Sequence, residues 1–169
     1  MIKWVGAALI LSACALFGLS LAGEYRKEEM MLRQLISALD YMQCELQYHM
    51  TPLPDLCRDT GIQNGNMIGQ VLILLAQELD CMVSSDVKGC MTEAMKEQND
   101  LPPKTRKAFE NLGVNLGRFD VDGQIQGLEG VRAFCRRELE DLNQNRETRI
   151  RNYKTLSLCA GAALAILFV

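Results

Sequence analysis

Few residues in this chain have the types and spacing that chemistry needs. Its one histidine, His49, stands between Cys44 and Cys57. Imidazole and thiolate are zinc ligands, so these three form a candidate metal trio. Their spacing fits no common zinc motif and no fourth ligand can be assigned. A single histidine also excludes the two-histidine HExxH arrangement. Asp120 and Asp122 form a carboxylate pair of the kind used in acid–base work. They are equally the residues that open a helix, where the N-terminal dipole favours negative charge. No GxxxxGK[ST] loop and no GxSxG elbow is present. Gly113, Gly117, Gly123, Gly127 and Gly130 follow no strand, which a dinucleotide fingerprint requires. A base, a nucleophile and an oxyanion site are never supplied together. The expectation is a non-enzyme with no cofactor and no metal, a scaffold or assembly part.

Composition bounds what such a part can be. The 169 residues suffice for one domain. With 49% apolar and 23% charged residues, a disordered chain is excluded. A net charge of -3 argues against a nucleic-acid binder, which would show a basic face. The charge is uneven. Acids dominate from Thr51 to Asp100, a stretch read as a solvated face, while Arg132, Arg136, Arg137, Arg146, Arg149, Arg151 and Lys154 gather later. Every acidic residue, and every basic one except Lys3, lies between Glu24 and Lys154.

The two ends are correspondingly apolar. Residues 1–23 read as an N-terminal transmembrane helix, since Trp4 to Gly23 is uncharged and as a helix spans about 30 Å, one hydrocarbon core. Residues 155–169 read as a shorter transmembrane segment of about 22 Å, which crosses by thinning the bilayer or stops short of the far interface. Small residues at steps of four, Ala8 with Ser12, Gly18 with Ala22, and Ser157, Gly161 and Ala165, suit close packing of the two spans. A cleavable signal ending at Ala22 and a lipoprotein box at Cys14 compete with this reading. The chain stays apolar after Cys14, and basic residues flank both spans on their domain sides (Arg26, Lys27 and Arg33; Arg146 to Lys154). By the positive-inside rule, residues 24–154 form a cytoplasmic domain. Seven cysteines without a CxxC pair suit a reducing compartment.

Within that domain the periodicity is helical throughout. Leu32, Leu35, Leu39, Met42 and Leu46 form a seam on a helix ending near Tyr48 or His49. Thr51 then reads as an N-cap, with Pro52 opening a short helix. Gly61 to Asn66 reads as a turn, Met67 to Val83 as the central core helix, and Ser84-Ser85 as its break. Val87 to Glu97 gives another short helix with Cys90, Met91, Ala94 and Met95 inward. Pro102-Pro103 starts the next, which ends at Leu116-Gly117. Asp120 caps the last, whose inward stripe is Ile125, Leu128, Val131, Cys135, Leu139 and Leu142. The expected fold is all-α, an antiparallel bundle of about six helices flanked by the two transmembrane segments.

Two stretches are more specific than helix packing requires. Glu45 to Leu53 carries an E-x-x-Y-x-x-T-P-L pattern, and Leu112 to Gln124 carries L-G-x-x-L-G-x-x-D-x-x-x-Q. With the apolar ends, they make the chain resemble the stage III sporulation protein AB family over nearly its whole length. That family usually has glycine where His49 stands. The resemblance implies a membrane platform subunit of the sporulation channel between mother cell and forespore. It implies a domain like the cytoplasmic domain of the F-type platform proteins of type II secretion. The implied partners are the lipid bilayer, the channel's cytoplasmic ATPase and its other membrane subunits. The implied place is the mother-cell side of the membrane with the domain cytoplasmic. Matched residues Tyr48, Asp120 and Gln124, with Glu45 and Arg33, are the candidates for partner contact, a solvated face being the bland alternative. Thr51, Pro52, Leu53, Gly113 and Gly117 read as structural turns and caps. Three rivals stand beside this reading: a platform part of a secretion or pilus system unrelated to sporulation, a membrane-tethered thiol or metal enzyme, and an exported lipoprotein.

Overall fold

The computed structural model describes the backbone of residues 2–81, 86–96, 98–117 and 120–168, and the side chains of 23–81, 86–96, 98–117 and 120–144. Six helices follow in order: α1 (Ile2–Tyr48), α2 (Leu53–Asn64), α3 (Met67–Cys81), α4 (Val87–Lys96), α5 (Pro103–Asn115) and α6 (Val121–Phe168). No strand occurs among the described residues. The chain divides into two compact units, one of Met1–Lys27 with Glu140–Val169 and one of Glu28–Leu139.

The second unit is the helical bundle. The α1 seam is its spine: Leu32, Leu35, Leu39, Met42 and Leu46 are all buried, because steps of three and four keep them on one face. Ile68, Val71, Leu72 and Leu75 of α3 and Phe109 and Leu112 of α5 are fully buried around it. Cys90, Met91, Ala94 and Met95 of α4 face the core as the sequence leads one to expect. On α6, Leu128, Val131 and Cys135 are buried, while Ile125 and Leu139 are only half-buried. Gln43 reaches Glu129 at 3.1 Å, and Asp40 reaches Arg132 at 2.6 Å. Moving back along α1 therefore means moving forward along α6, so the two helices run antiparallel.

Two helix boundaries differ from expectation. Pro52, not Thr51, is the cap residue of α2, with φ -55° and ψ 143° and no side-chain cap bond. The Thr51 hydroxyl donates instead to Glu45 Oε2 at 3.4 Å. And α2 does not break at Gly61. It continues to Asn64, and the turn is Gly65 in the left-handed region at φ 58°. Gly61 serves packing instead: a Cβ there would stand 2.7 Å from the carbonyl oxygen of Gly69 on α3. The expected break at Ser84-Ser85 lies outside the described residues.

The start of α5 is fastened from a distance. Pro102 offers no side-chain cap. The buried carboxylate of Glu28 on α1 accepts the backbone N–H of Lys104 at 2.7 Å, serving as a cap. Lys104 Nζ pairs with Glu138 of α6 at 2.6 Å, so one residue ties α5 to both long helices.

The first unit consists of the start of α1 and the end of α6. Among the described residues no helix is long and apolar enough to cross a membrane. The expected spans and their small-residue rows (Ala8, Ser12, Gly18, Ala22, Ser157, Gly161 and Ala165) have side chains outside the described residues.

Candidate functional site

The E-x-x-Y-x-x-T-P-L stretch folds as a tight corner between α1 and α2. The last helical bond of α1 runs from the His49 N–H to the Glu45 carbonyl at 2.9 Å. The chain then reverses through Met50, whose φ of 50° makes it the one non-glycine residue with positive φ among the described residues. Left-handed backbone is costly for a side chain and is normally given to glycine. Here the position next to His49 takes that conformation, and His49 itself does not.

Glu45 organises the corner. Its half-buried carboxylate accepts from the Thr51 hydroxyl, lies 3.3 Å from His49 Nδ1, and takes a hydrogen bond from Tyr41. The Tyr41 phenol is held above its ordinary range, by partial burial first and then by the Glu45 and Asp59 carboxylates. With Glu45 fixed by three neighbours, the corner projects two large side chains into solvent, Tyr48 at 76% exposure and Met50 at 73%.

The second motif supplies the other wall. α5 ends at Asn115, and Gly117 follows with φ 75°, a left-handed residue just beyond the helix. Asp120 then caps α6, accepting the Gly123 N–H on Oδ1 at 3.0 Å and the Gln124 N–H on its carbonyl at 2.9 Å. The two motifs meet at Gly117. A Cβ there would collide with Val87 of α4 and lie 3.7 Å from Leu53 Cδ2. Gly117 is therefore required twice, by its backbone and by its neighbours.

The structure thus gathers Glu45, Tyr48, Thr51, Pro52, Leu53, Gly117 and Asp120 at one end of the bundle, with the half-buried Gln124 one turn into α6. Gly113 is turned inward, where a Cβ would stand 2.8 Å from Met91 Cβ. Arg33 is not part of the corner. It lies about 18 Å back along α1 and pairs with Glu29 at 3.0 Å. Sequence reasoning missed Met50, Tyr41 and Val87. Only the displaced glycine position beside Met50 carried a signal.

The arrangement offers exposed side chains for contact, Tyr48 and Met50 foremost. Among the described residues no three His, Cys, Asp or Glu side chains converge to hold a metal ion. Cys44 is exposed and Cys57 buried, and burial pushes the Cys57 thiol up to about 12, so it is protonated at neutral pH.

A family model described as Stage III sporulation protein AB matches residues 3–169. A curated protein, Stage III sporulation protein AB of Bacillus subtilis (strain 168), is 24% identical over 172 residues and aligns over all of both chains. A solved structure of Stage III sporulation protein AB (SpoIIIAB) is similar in fold, with a TM-score of 0.62 at 20% identity. It covers 72% of this chain and 98% of that chain.

Proposed function

The chain belongs to the stage III sporulation protein AB family, and from that premise we propose that it is a non-enzymatic platform subunit of a sporulation channel. Its helical bundle receives a cytoplasmic ATPase, and its two apolar ends hold that bundle to the mother-cell membrane. A role in sporulation follows from the family; the platform and the coupling are the proposal. The observation that carries it is the corner. Two motifs more than fifty residues apart converge on one end of the bundle and leave Tyr48 and Met50 exposed there. Large apolar side chains held in solvent by a strained, well-bonded turn are more useful to a partner than to the fold. The uncharged ends at 4–23 and 155–169, with basic residues on their domain sides, support the anchors and their orientation.

The test is co-purification of the sporulation ATPase with the tagged full chain from sporulating cells. Tyr48→Ala and Met50→Ser should each weaken recovery of the ATPase and lower spore yield while leaving the chain folded and in the membrane fraction. Undiminished recovery from the double variant would sink the assignment of this corner.

A further inference from the structure

The two long helices share a basic collar. From Glu24 to Lys27 on α1 and from Asn143 to Lys154 on α6 stand six bases, Arg26, Lys27, Arg146, Arg149, Arg151 and Lys154, against two acids, Glu24 and Glu147. Both stretches belong to the same compact unit. Acids on the bundle side have other work: Glu28 accepts the Lys104 N–H, Glu29 pairs with Arg33, and Glu138 pairs with Lys104. Glu140 and Asp141 come before the collar, more than a turn from Arg146. Arg26 is exposed and Lys27 half-buried, and no ion pair among the described residues includes either.

The register of the two helices leaves these bases without a counter-charge across the pair. Gln43 meets Glu129 and Asp40 meets Arg132, so three residues back along α1 match three forward along α6. Both helices continue unbroken through the collar. The same register brings Arg26 level with Arg146, like charge beside like. It brings Arg149, Arg151 and Lys154 level with Gly23, Leu21 and Gly18, in a stretch of α1 that holds no charge at all. Bases gathered at one level repel unless something anionic stands among them.

We propose that this collar binds the phosphates of anionic lipid headgroups. The site rests on the membrane-anchored reading above. On that reading the uncharged stretches 4–23 and 155–169 fill the hydrocarbon, and the collar falls at the headgroup layer where they end. Lysine and arginine suit that layer, because their apolar stems tolerate it while their charged heads meet phosphate. An anionic lipid is preferred to a zwitterionic one, whose phosphate is already offset by its own ammonium. An acidic protein fits less well, since it would have to enter a layer that headgroups already fill.

The full chain is reconstituted into vesicles of equal phosphatidylglycerol and phosphatidylcholine, washed with carbonate and extracted in mild detergent, and its retained lipids are measured by mass spectrometry. Phosphatidylglycerol should exceed phosphatidylcholine about fivefold, the preference that one base at an anionic surface supplies. Salt during extraction should shrink that ratio. Arg26→Gln with Lys27→Gln should bring it toward one, as should Arg149→Gln with Arg151→Gln. Arg26→Lys with Lys27→Arg keeps both charges and should keep the preference. Lys88→Gln removes an exposed base of α4 and should leave the ratio unchanged. Equal retention of the two lipids by the native chain would hand the collar to an acidic protein and overturn the headgroup site. A preference undiminished when all four positions are neutralised overturns it too, as does an equal fall in Lys88→Gln, which would reduce the effect to net charge. Release by the carbonate wash overturns the anchored reading instead. Flotation of the released chain with phosphatidylglycerol vesicles, and not with phosphatidylcholine ones, would then still support the collar, and flotation with neither would overturn it.

Discussion

Cys57 and Glu28 show how much a single buried group can carry. The Cys57 thiol is raised by burial from an ordinary 9.0 to about 12, and Cys135 is raised to about 12 by burial first. A raised folded-state value means the fold favours the protonated form. That stability is complete below pH 9 and drains away as pH climbs toward 12. Denaturant midpoints of the full chain in detergent should therefore fall across that window, with a shallower fall in Cys57→Ala. At pH 8 a thiol reagent followed by peptide mapping should mark Cys44 and Cys81, both exposed, and leave Cys57 and Cys135 unmarked. Glu28 works through geometry. Removing its carboxylate orphans the Lys104 N–H at the start of α5. Glu28→Ala should cost about 1–2 kcal/mol and speed amide exchange at Lys104. Glu28→Gln keeps an acceptor and should retain most of the protection.

Among the elements, glycine positions separate packing from chance. Gly130 lies within α6, exposed, and nothing stands within 4 Å of where its Cβ would be. Gly130→Ala should raise stability by about 0.5–1 kcal/mol through helix propensity alone. Gly113 also lies within a helix, but alanine there would press on Met91 and should destabilise by about 1–3 kcal/mol. Thermal melts of the two variants side by side check both signs. The same contrast explains what could be read from the chain beforehand. The α1 seam and the inward face of α4 were legible because helical periodicity and burial are one phenomenon. Gly61 was misread as a turn because its purpose, letting α2 approach α3 at Gly69, belongs to a neighbour that no local rule contains. Thr51 was misread as a cap because Glu45 sits within reach of its hydroxyl only once the corner has formed. For the corner, the motifs named most of the residues; their convergence through Val87 and Leu53 is tertiary and left no pattern in the sequence.

For the molecule as a whole, the expected anchoring makes its own prediction. The start of α1 and the end of α6 form one compact unit. On the anchored reading, Ser157, Gly161 and Ala165 let the two spans approach closely, since lipid gives helices no hydrophobic reason to associate and packing must supply it. Gly161→Leu should lower spore yield and weaken cross-linking between cysteines placed near the centres of the two spans, while the circular dichroism of the bundle stays unchanged. Normal sporulation with unaltered cross-linking would remove span pairing from the account. The antiparallel pairing of α1 with α6 has a further consequence, in the order of birth. Its partners lie 86 and 92 residues apart, so α1 leaves the ribosome on the order of ten seconds before the helix that closes over it. Throughout that interval Leu32, Leu35 and Leu39 have no α6 to cover them, and Glu28 holds an acceptor for an α5 not yet made. A message broken off before Gly123 would therefore yield an open chain with a long greasy helix and nothing to shield it, fit for a protease and not for a smaller bundle.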